Sequence, residues 1–159
     1  DIISAERRSA LMRRVRQRDT DPELVVRRVA HALGYRFRLH RRDLPGTPDL
    51  VFPKYRVALF VHGCFWHRHE GCPRATTPKS RRDYWLPKFA ANVERDRRKA
   101  AALEAAGWRA VVVWECETAD SSALSAGFLV SFLLDSLFSF EAERRVATIV
   151  DLLDVADEF

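Results

Sequence analysis

Between residues 62 and 72 the chain reads His-Gly-Cys-Phe-Trp-His-Arg-His-Glu-Gly-Cys, which gathers three of its five histidines and two of its three cysteines. Thiolates and imidazoles packed this closely suit zinc, which takes four tetrahedral ligands in sites that hold structure rather than do chemistry. Cys64, Cys72 and one histidine supply three ligands. Cys116, at the end of a distant apolar run, can supply the fourth and pin that run to the loop; free cysteines and surface histidines are the plainer alternative. A second feature is Asp49, which follows the turn Pro45-Gly46-Thr47-Pro48 and precedes a strand pair ending in His62. A carboxylate and another polar group at the ends of neighbouring strands can hold a hard cation such as Mg²⁺, which polarises a phosphodiester and activates water. A solvated turn carboxylate is the competing reading. Third, Phe65-Trp66 stand in a polar, glycine-containing loop, with Trp85 further on. Such aromatics either pack beneath the metal loop or insert between base steps and kink a duplex.

The elements that must position these residues are legible from periodicity. Residues 4–18 read as a basic amphipathic helix with Leu11, Met12 and Val15 on its apolar stripe. Thr20-Asp21-Pro22-Glu23 has the spacing of a capping box, opening a helix that carries Leu24, Val25, Val29 and Leu33 and stops at Gly34. Tyr35 to Leu39 alternates as a half-exposed strand does. Asp49 to Phe52 and Arg56 to His62 read as two strands joined at Pro53-Lys54. A long helix runs from Tyr84 to Ala106, charged in its middle, and stops at Gly107. The run Trp108 to Glu115 reads as a central strand buried on both faces. Residues 123–140 are strongly apolar but broken by Asp135, and residues 141–155 read as an acidic amphipathic helix.

The 159 residues and 18.3 kDa suggest one domain, or one domain with an appendage. Apolar residues at 47% and charged residues at 31% exclude a disordered or fibrous chain. There is no run of apolar residues long enough for an ordinary membrane span, and no apolar core of a signal peptide at the start, so an intracellular protein is expected. The net charge of +5 hides a segregation: residues 116–159 hold two basic and nine acidic side chains, leaving a net of +12 on residues 1–115. Arginine outnumbers lysine 23 to 4, and its planar fork matches phosphate. Coding bias can explain that ratio but not the segregation, which points to nucleic acid before a membrane surface.

The ordered motifs RDTDPE, LPGTPDLVF, FVHGCFWHRHEGC, a PK-containing loop, YWLPKFAANVERDRR and LEAAGWRAVVVWEC resemble the very-short-patch-repair (Vsr) DNA mismatch endonuclease family over about residues 9–116. The resemblance implies an α/β chain with a restriction-endonuclease-like α/β/α core, a structural zinc site and, beyond the family pattern, an extra C-terminal helical tail. It implies a Vsr-like domain over residues 1–118, with the helix at 4–18 contacting DNA, and an acidic, apolar extension over 119–159. The implied activity is nicking of double-stranded DNA on the T-containing strand, 5′ of the T of a T:G mismatch left by deamination of 5-methylcytosine. Carried over by position, Asp49 resembles the Mg²⁺ ligand, with the backbone carbonyl of Val61 beside it; a Thr is common there, and a carbonyl ligand tolerates the change. His62 and His67 match the catalytic histidines, and Glu23 matches an acidic helix residue near the active site while also closing the capping box. Cys64, His69, Cys72 and Cys116 match the structural zinc set. Phe65, Trp66 and Trp85 match an aromatic wedge entering from the major groove, and Met12 a residue inserting from the minor groove. Expected partners are mismatched DNA, mismatch-repair proteins and a second copy through the tail, with no membrane; the expected location is the bacterial cytoplasm, at the nucleoid. The alternatives are a Vsr-like restriction, homing or mobile-element nuclease with another target, a zinc-stabilised DNA-binding module without catalysis, and an adaptor driven by the apolar tail.

Overall fold

A computed structural model describes residues 7, 16, 18–119, 131 and 135. Most of the expected helix at 4–18, Met12 included, and nearly all of the extension at 119–159 lie outside the described residues. In chain order the elements are α1 (Asp21–Ala32), β1 (Arg38–Leu39), β2 (Leu50–Phe52), a 3₁₀ turn (Pro53–Tyr55), β3 (Val57–His62), α2 (Cys64–His67), α3 (Arg82–Ala105), β4 (Arg109–Trp114) and α4 (Glu115–Thr118). The four strands form one sheet in the order β1-β2-β3-β4, antiparallel as far as β3 and parallel between β3 and β4.

Alternation along the strands builds two apolar layers. Leu50, Phe52, Val57, Leu59, Val111 and Val113 face α1, where Val26 and Ala30 meet them. Val51, Ala58 and Phe60 face α3, where Leu103 meets them. The described residues therefore form an α/β/α sandwich, held by area removed from water on both faces of the sheet.

Several expectations are corrected. The buried face of α1 is Glu23, Val26 and Ala30, flanked by Val25, Val29 and Leu33, whereas Leu24 turns to solvent. Only Arg38–Leu39 of the expected strand at 35–39 pairs with β2. Tyr35 instead enters the core edge-on to Phe52 and Tyr55, at ring separations of 6.3 and 5.9 Å. Asp49 stands one residue before β2. β4 pairs with β3 alone, so among the described residues it is an edge strand, with Val111 and Val113 buried and Ala110, Val112 and Trp114 half-buried. An apolar run marks a strand; its place in the sheet depends on what packs around it. No described helix is long and apolar enough to cross a membrane.

Gly107 shows how the second layer is closed. With φ at +76°, which a β-carbon disfavours, it lets the amide of Trp108 return to the carbonyl of Leu103 at 2.9 Å. Arg56 then donates to the carbonyls of Gly107 and Ala106 at 2.8 and 3.0 Å, joining the start of β3 to the end of α3.

Candidate active site and metal centre

The register of the sheet assembles both sites. β3 and β4 run parallel with His62 opposite Trp114, so Cys64 and Cys116, each two residues beyond that pair, emerge side by side. α2 then turns the chain back, and His69 brings its Nδ1 to 3.7 Å from Cys64 Sγ and 3.3 Å from Cys116 Sγ. Donor atoms of Cys64, His69, Cys72 and Cys116 all lie within 4.8 Å of one another. That spread, and a set of three thiols and one imidazole, fits a tetrahedral ion with bonds of about 2.0–2.3 Å. His69 is held by stacking on Trp114, at 4.2 Å and 3°. Burial and the neighbouring sulfurs push the Cys116 thiol up to about 12, a cost of gathering thiols that a bound divalent cation would reverse.

The second cluster lies on the other side of α2 and opens into a cavity of about 1010 Å³. His62, at the end of β3, is buried and stacks face to face on His67, with ring centres 3.9 Å apart and 9° between planes. Burial, then the neighbouring charge of His67, lowers the His62 imidazolium to about 3, so this ring is neutral at ordinary pH. His67 Nδ1 lies 2.5 Å from Asp96 Oδ2 of α3. Burial alone would raise the Asp96 carboxyl, but the His67 hydrogen bond, then the His67 and Lys99 charges, hold it below the usual carboxylate range. With Nδ1–H donated to Asp96, the Nε2 lone pair of His67 is free to take a proton.

Asp49 lines the same cavity. Its Oδ2 accepts the amide of Val61 at 2.8 Å, which ties it to β3 and leaves Oδ1 toward His40 at 3.9 Å. Burial is the main reason its carboxyl is raised to about 6; the Val61 hydrogen bond opposes this and the Glu23 charge adds to it. A carboxylate so placed gains by meeting a cation, in keeping with a divalent-ion ligand. Glu23 belongs both to the helix start and to the lining of the cavity. Its Oε1 accepts the amide and hydroxyl of Thr20 at 3.4 and 2.9 Å, closing the helix start, and its side chain also lines the cavity.

The chain is related along most of this framework to proteins of known type. A family model described as DNA mismatch endonuclease Vsr matches residues 1–74. The Type II nicking enzyme V.XorIIP of Xanthomonas oryzae is 61% identical over 126 residues, covering 79% of this chain and 92% of that protein. The DNA mismatch endonuclease Vsr of Escherichia coli is 42% identical over 116 residues, 73% of this chain and 74% of that protein. The Type II nicking enzyme V.NmeAIP of Neisseria meningitidis is 40% identical over 117 residues, 74% of this chain and 83% of that protein. The chain belongs to the Vsr family of DNA endonucleases.

Within this Vsr-family chain, the aromatic residues split in two. Phe65 and Trp66 of α2 are half-buried, meeting edge-on at 5.0 Å. Trp85 is buried behind them, 5.6 Å from both Phe65 and Phe89. It forms the base of the aromatic knuckle rather than its outer surface. The sequence reading missed Asp96, His40, Arg27 and Lys99. Asp96 sits in the charge run Glu94 to Lys99, but it is seven residues from both buried Phe89 and buried Leu103. On a helix that spacing places a carboxylate on the inward face, and it is the signal that identifies Asp96.

Proposed function

We propose that this chain is a Mg²⁺-dependent nicking endonuclease that cuts the T-bearing strand of duplex DNA 5′ of the T at T:G mismatches. The observation that carries the reading is one cavity that joins Asp49, the stacked His62–His67 pair and Asp96. Half-buried Trp66 lines the same cavity, with Phe65 edge-on against it. The domain reading is a nuclease of residues 1–118 with a restriction-endonuclease-like core, followed by an extension over 119–159 that serves self-association or the docking of mismatch-repair proteins. The setting is the bacterial cytoplasm, where the nucleoid supplies the substrate.

Asp49 and the Val61 carbonyl would hold Mg²⁺, and Cys64, His69, Cys72 and Cys116 would hold Zn²⁺ with no coordination position left for substrate. Bound Mg²⁺ would neutralise charge on the scissile phosphate. His67 takes a proton from the attacking water at Nε2, while Asp96 fixes its tautomer and stabilises the imidazolium that forms. His62, neutral and buried, offers an N–H donor beside it for the phosphate or the departing 3′ oxygen. Phe65 and Trp66, braced by Trp85 and joined by Met12 from the minor groove, wedge into the mismatched step, which unstacks at lower cost than a paired one. Lys88 and Arg95, also lining the cavity, meet the backbone of the opened duplex.

A strand-resolved nicking assay with Mg²⁺ on matched, T:G and other mismatched duplexes tests this. Cutting confined to the T strand of T:G duplexes, and lost in Asp49→Ala, is expected. Equal cutting of matched DNA, or breaks in both strands, replaces the reading with a Vsr-like nuclease of another target; binding without cutting replaces it with a DNA-binding module.

A further inference from the structure

Beside Asp49 lies a polar cluster that the mechanism above leaves unused. Asp19, Glu23 and His40 bring one donor atom each within 4.8 Å of the others, a set that could hold an ion. The guanidinium of Arg27 already touches all three, Nη1 to Asp19 Oδ1 at 2.6 Å, Nη2 to Glu23 Oε2 at 2.9 Å and Nη2 to His40 Nε2 at 3.0 Å. The positive charge this triad calls for is therefore built in, and the cluster is a support rather than a second ion site.

That support has a direction. A guanidinium donates and never accepts, so at 3.0 Å from Arg27 the Nε2 of His40 must offer its lone pair. With Nε2 accepting, the ring proton is on Nδ1. Nδ1 faces Asp49 Oδ1 at 3.9 Å, the oxygen that the Val61 amide does not engage. The main chain of His40 addresses the same residue, its N–H donating to the Asp49 carbonyl at 3.3 Å and carrying the β1–β2 pairing one step further. His40 does this at φ +47°, a left-handed conformation that costs a non-glycine residue on the order of 1 kcal/mol and persists where surrounding contacts impose it. We propose that His40 is a positioning residue for Asp49, with its Nδ1–H tautomer set by Arg27, and that it aims Oδ1 at the divalent ion either directly or through one shared water. Groups behind a ligand commonly tune it this way. The inference rests on the reading of Asp49 as the ion's ligand.

The test uses zinc-loaded, full-length protein. Mn²⁺ affinity is followed by electron paramagnetic resonance, and the Mg²⁺ half-saturation of nicking is measured in parallel, with zinc content and Tm as controls of the fold. His40→Leu should weaken Mn²⁺ binding about tenfold and raise the Mg²⁺ half-saturation in the same ratio, within the 10–100-fold range for lost partners of ligands. The rate at saturating Mg²⁺ should fall less than about threefold, because the lost interaction orients a ligand and does not touch the reacting atoms. His40→Asn, which returns an N–H near the Nδ1 position, should bring both values back to within about threefold of the parent. Unchanged Mn²⁺ affinity in His40→Leu overturns the proposal, as does a His40→Asn variant as weak as His40→Leu. Asp49→Ala separates the two readings. If it loses Mn²⁺ binding while His40→Leu keeps it, only the role of His40 fails; if it binds Mn²⁺ like the parent, the reading of Asp49 fails as well.

Discussion

The two sides of α2 are built from one short segment and end up chemically opposite. His62 and His67 are five residues apart, as are Cys64 and His69, yet the first pair opens on the large cavity and the second closes on two thiols. A helix of four residues, entered from the extended backbone of Gly63 and left through the left-handed Arg68, is enough to send alternate donors to opposite sides. What distinguishes the sides is the company each histidine keeps. His69 has sulfur at 3.3 Å on Nδ1 and an indole against its face, so its ring is fixed and its donors converge on one point. His67 has a carboxylate on Nδ1 and another imidazole against its face, so its second nitrogen is left for chemistry. Residue type makes a histidine capable of either task, and the partner on Nδ1 assigns it.

The sharpest way to break this contrast is to remove one histidine or thiol from each side. His67→Ala should lower the nicking rate by at least about 10³-fold, since it removes the proposed base, while zinc content and Tm stay near the parent's. Cys116→Ser should do the reverse: zinc is lost and stability falls by about 3–5 kcal/mol, within the range for a lost metal anchor. The protein that remains folded in the cold should nick within about tenfold of the parent rate. Thermal melts with a zinc assay, alongside nicking per folded protein, decide it; a His67→Ala protein that sheds zinc would merge the two sides into one site. Asp96→Asn is the next smaller effect. The amide cannot hold the Nδ1–H tautomer as a carboxylate does, so the rate should fall about 10²-fold with little change in Tm. A single-turnover assay at saturating DNA checks it.

The same contrast explains which parts were legible beforehand. Cys64, Cys72 and Cys116 with one histidine stand in rare residue types, two of the thiols closely spaced; Asp49, His67 and His69 are singled out by the family resemblance, and the order of strands and helices around them follows from turns and apolar periods. The parallel pairing that puts Cys116 beside Cys64 was anticipated only as one way to complete the metal set, because partner choice between strands is a tertiary matter. Asp96 was hidden in a run of charges that reads as a solvated face. Its stripe on α3 runs through Phe89, Asn92, Asp96, Lys99 and Leu103, apolar at both ends and polar where it meets the site, and Asn92 there donates to the Trp66 carbonyl at 3.2 Å. His40 and Arg27 carried no local signal; only the packing of α1 against the β1–β2 turn brings them to Asp49.

A further prediction concerns a group whose burial works against it. Asp49 is strained by its own charge: the folded chain holds its proton up to about pH 6, against 3.8 for an ordinary Asp. A raised carboxyl pKa means that the folded state binds the proton more tightly than the unfolded one, so ionisation destabilises the fold. Asp49→Asn should therefore be more stable than the parent by on the order of 1–3 kcal/mol above about pH 6, with the gain fading as pH falls toward 4, and should be inactive throughout. Denaturant melts across that pH range check it, and a less stable variant at pH 7 would refute the burial argument. Trp66→Ala should act more mildly, lowering the preference for mismatched over matched duplex about tenfold through the loss of one stacking surface, and leaving zinc content unchanged. Competition binding between the two duplexes reads this directly.

Lys99 sets the smallest effect. Its stem lies against Gly46, where an added β-carbon would meet Lys99 Cδ at 2.8 Å, and its ammonium is 3.8 Å from Asp96 Oδ1. It thus links the turn that carries Asp49 to the helix that carries Asp96, but with a third of its side chain exposed the ion pair is screened by solvent. Lys99→Met keeps the stem that fills the space over Gly46 and removes only the charge. The rate should fall about two- to fivefold, and the salt dependence of DNA binding should shrink by roughly one phosphate contact if the ammonium turns to the DNA when it binds. Unchanged salt dependence with a slower rate would leave the charge acting on Asp96 alone. In either case the loss stays far below that of Asp96→Asn, because a charge beside a carboxylate steadies it, whereas the carboxylate itself decides which nitrogen of His67 carries the proton.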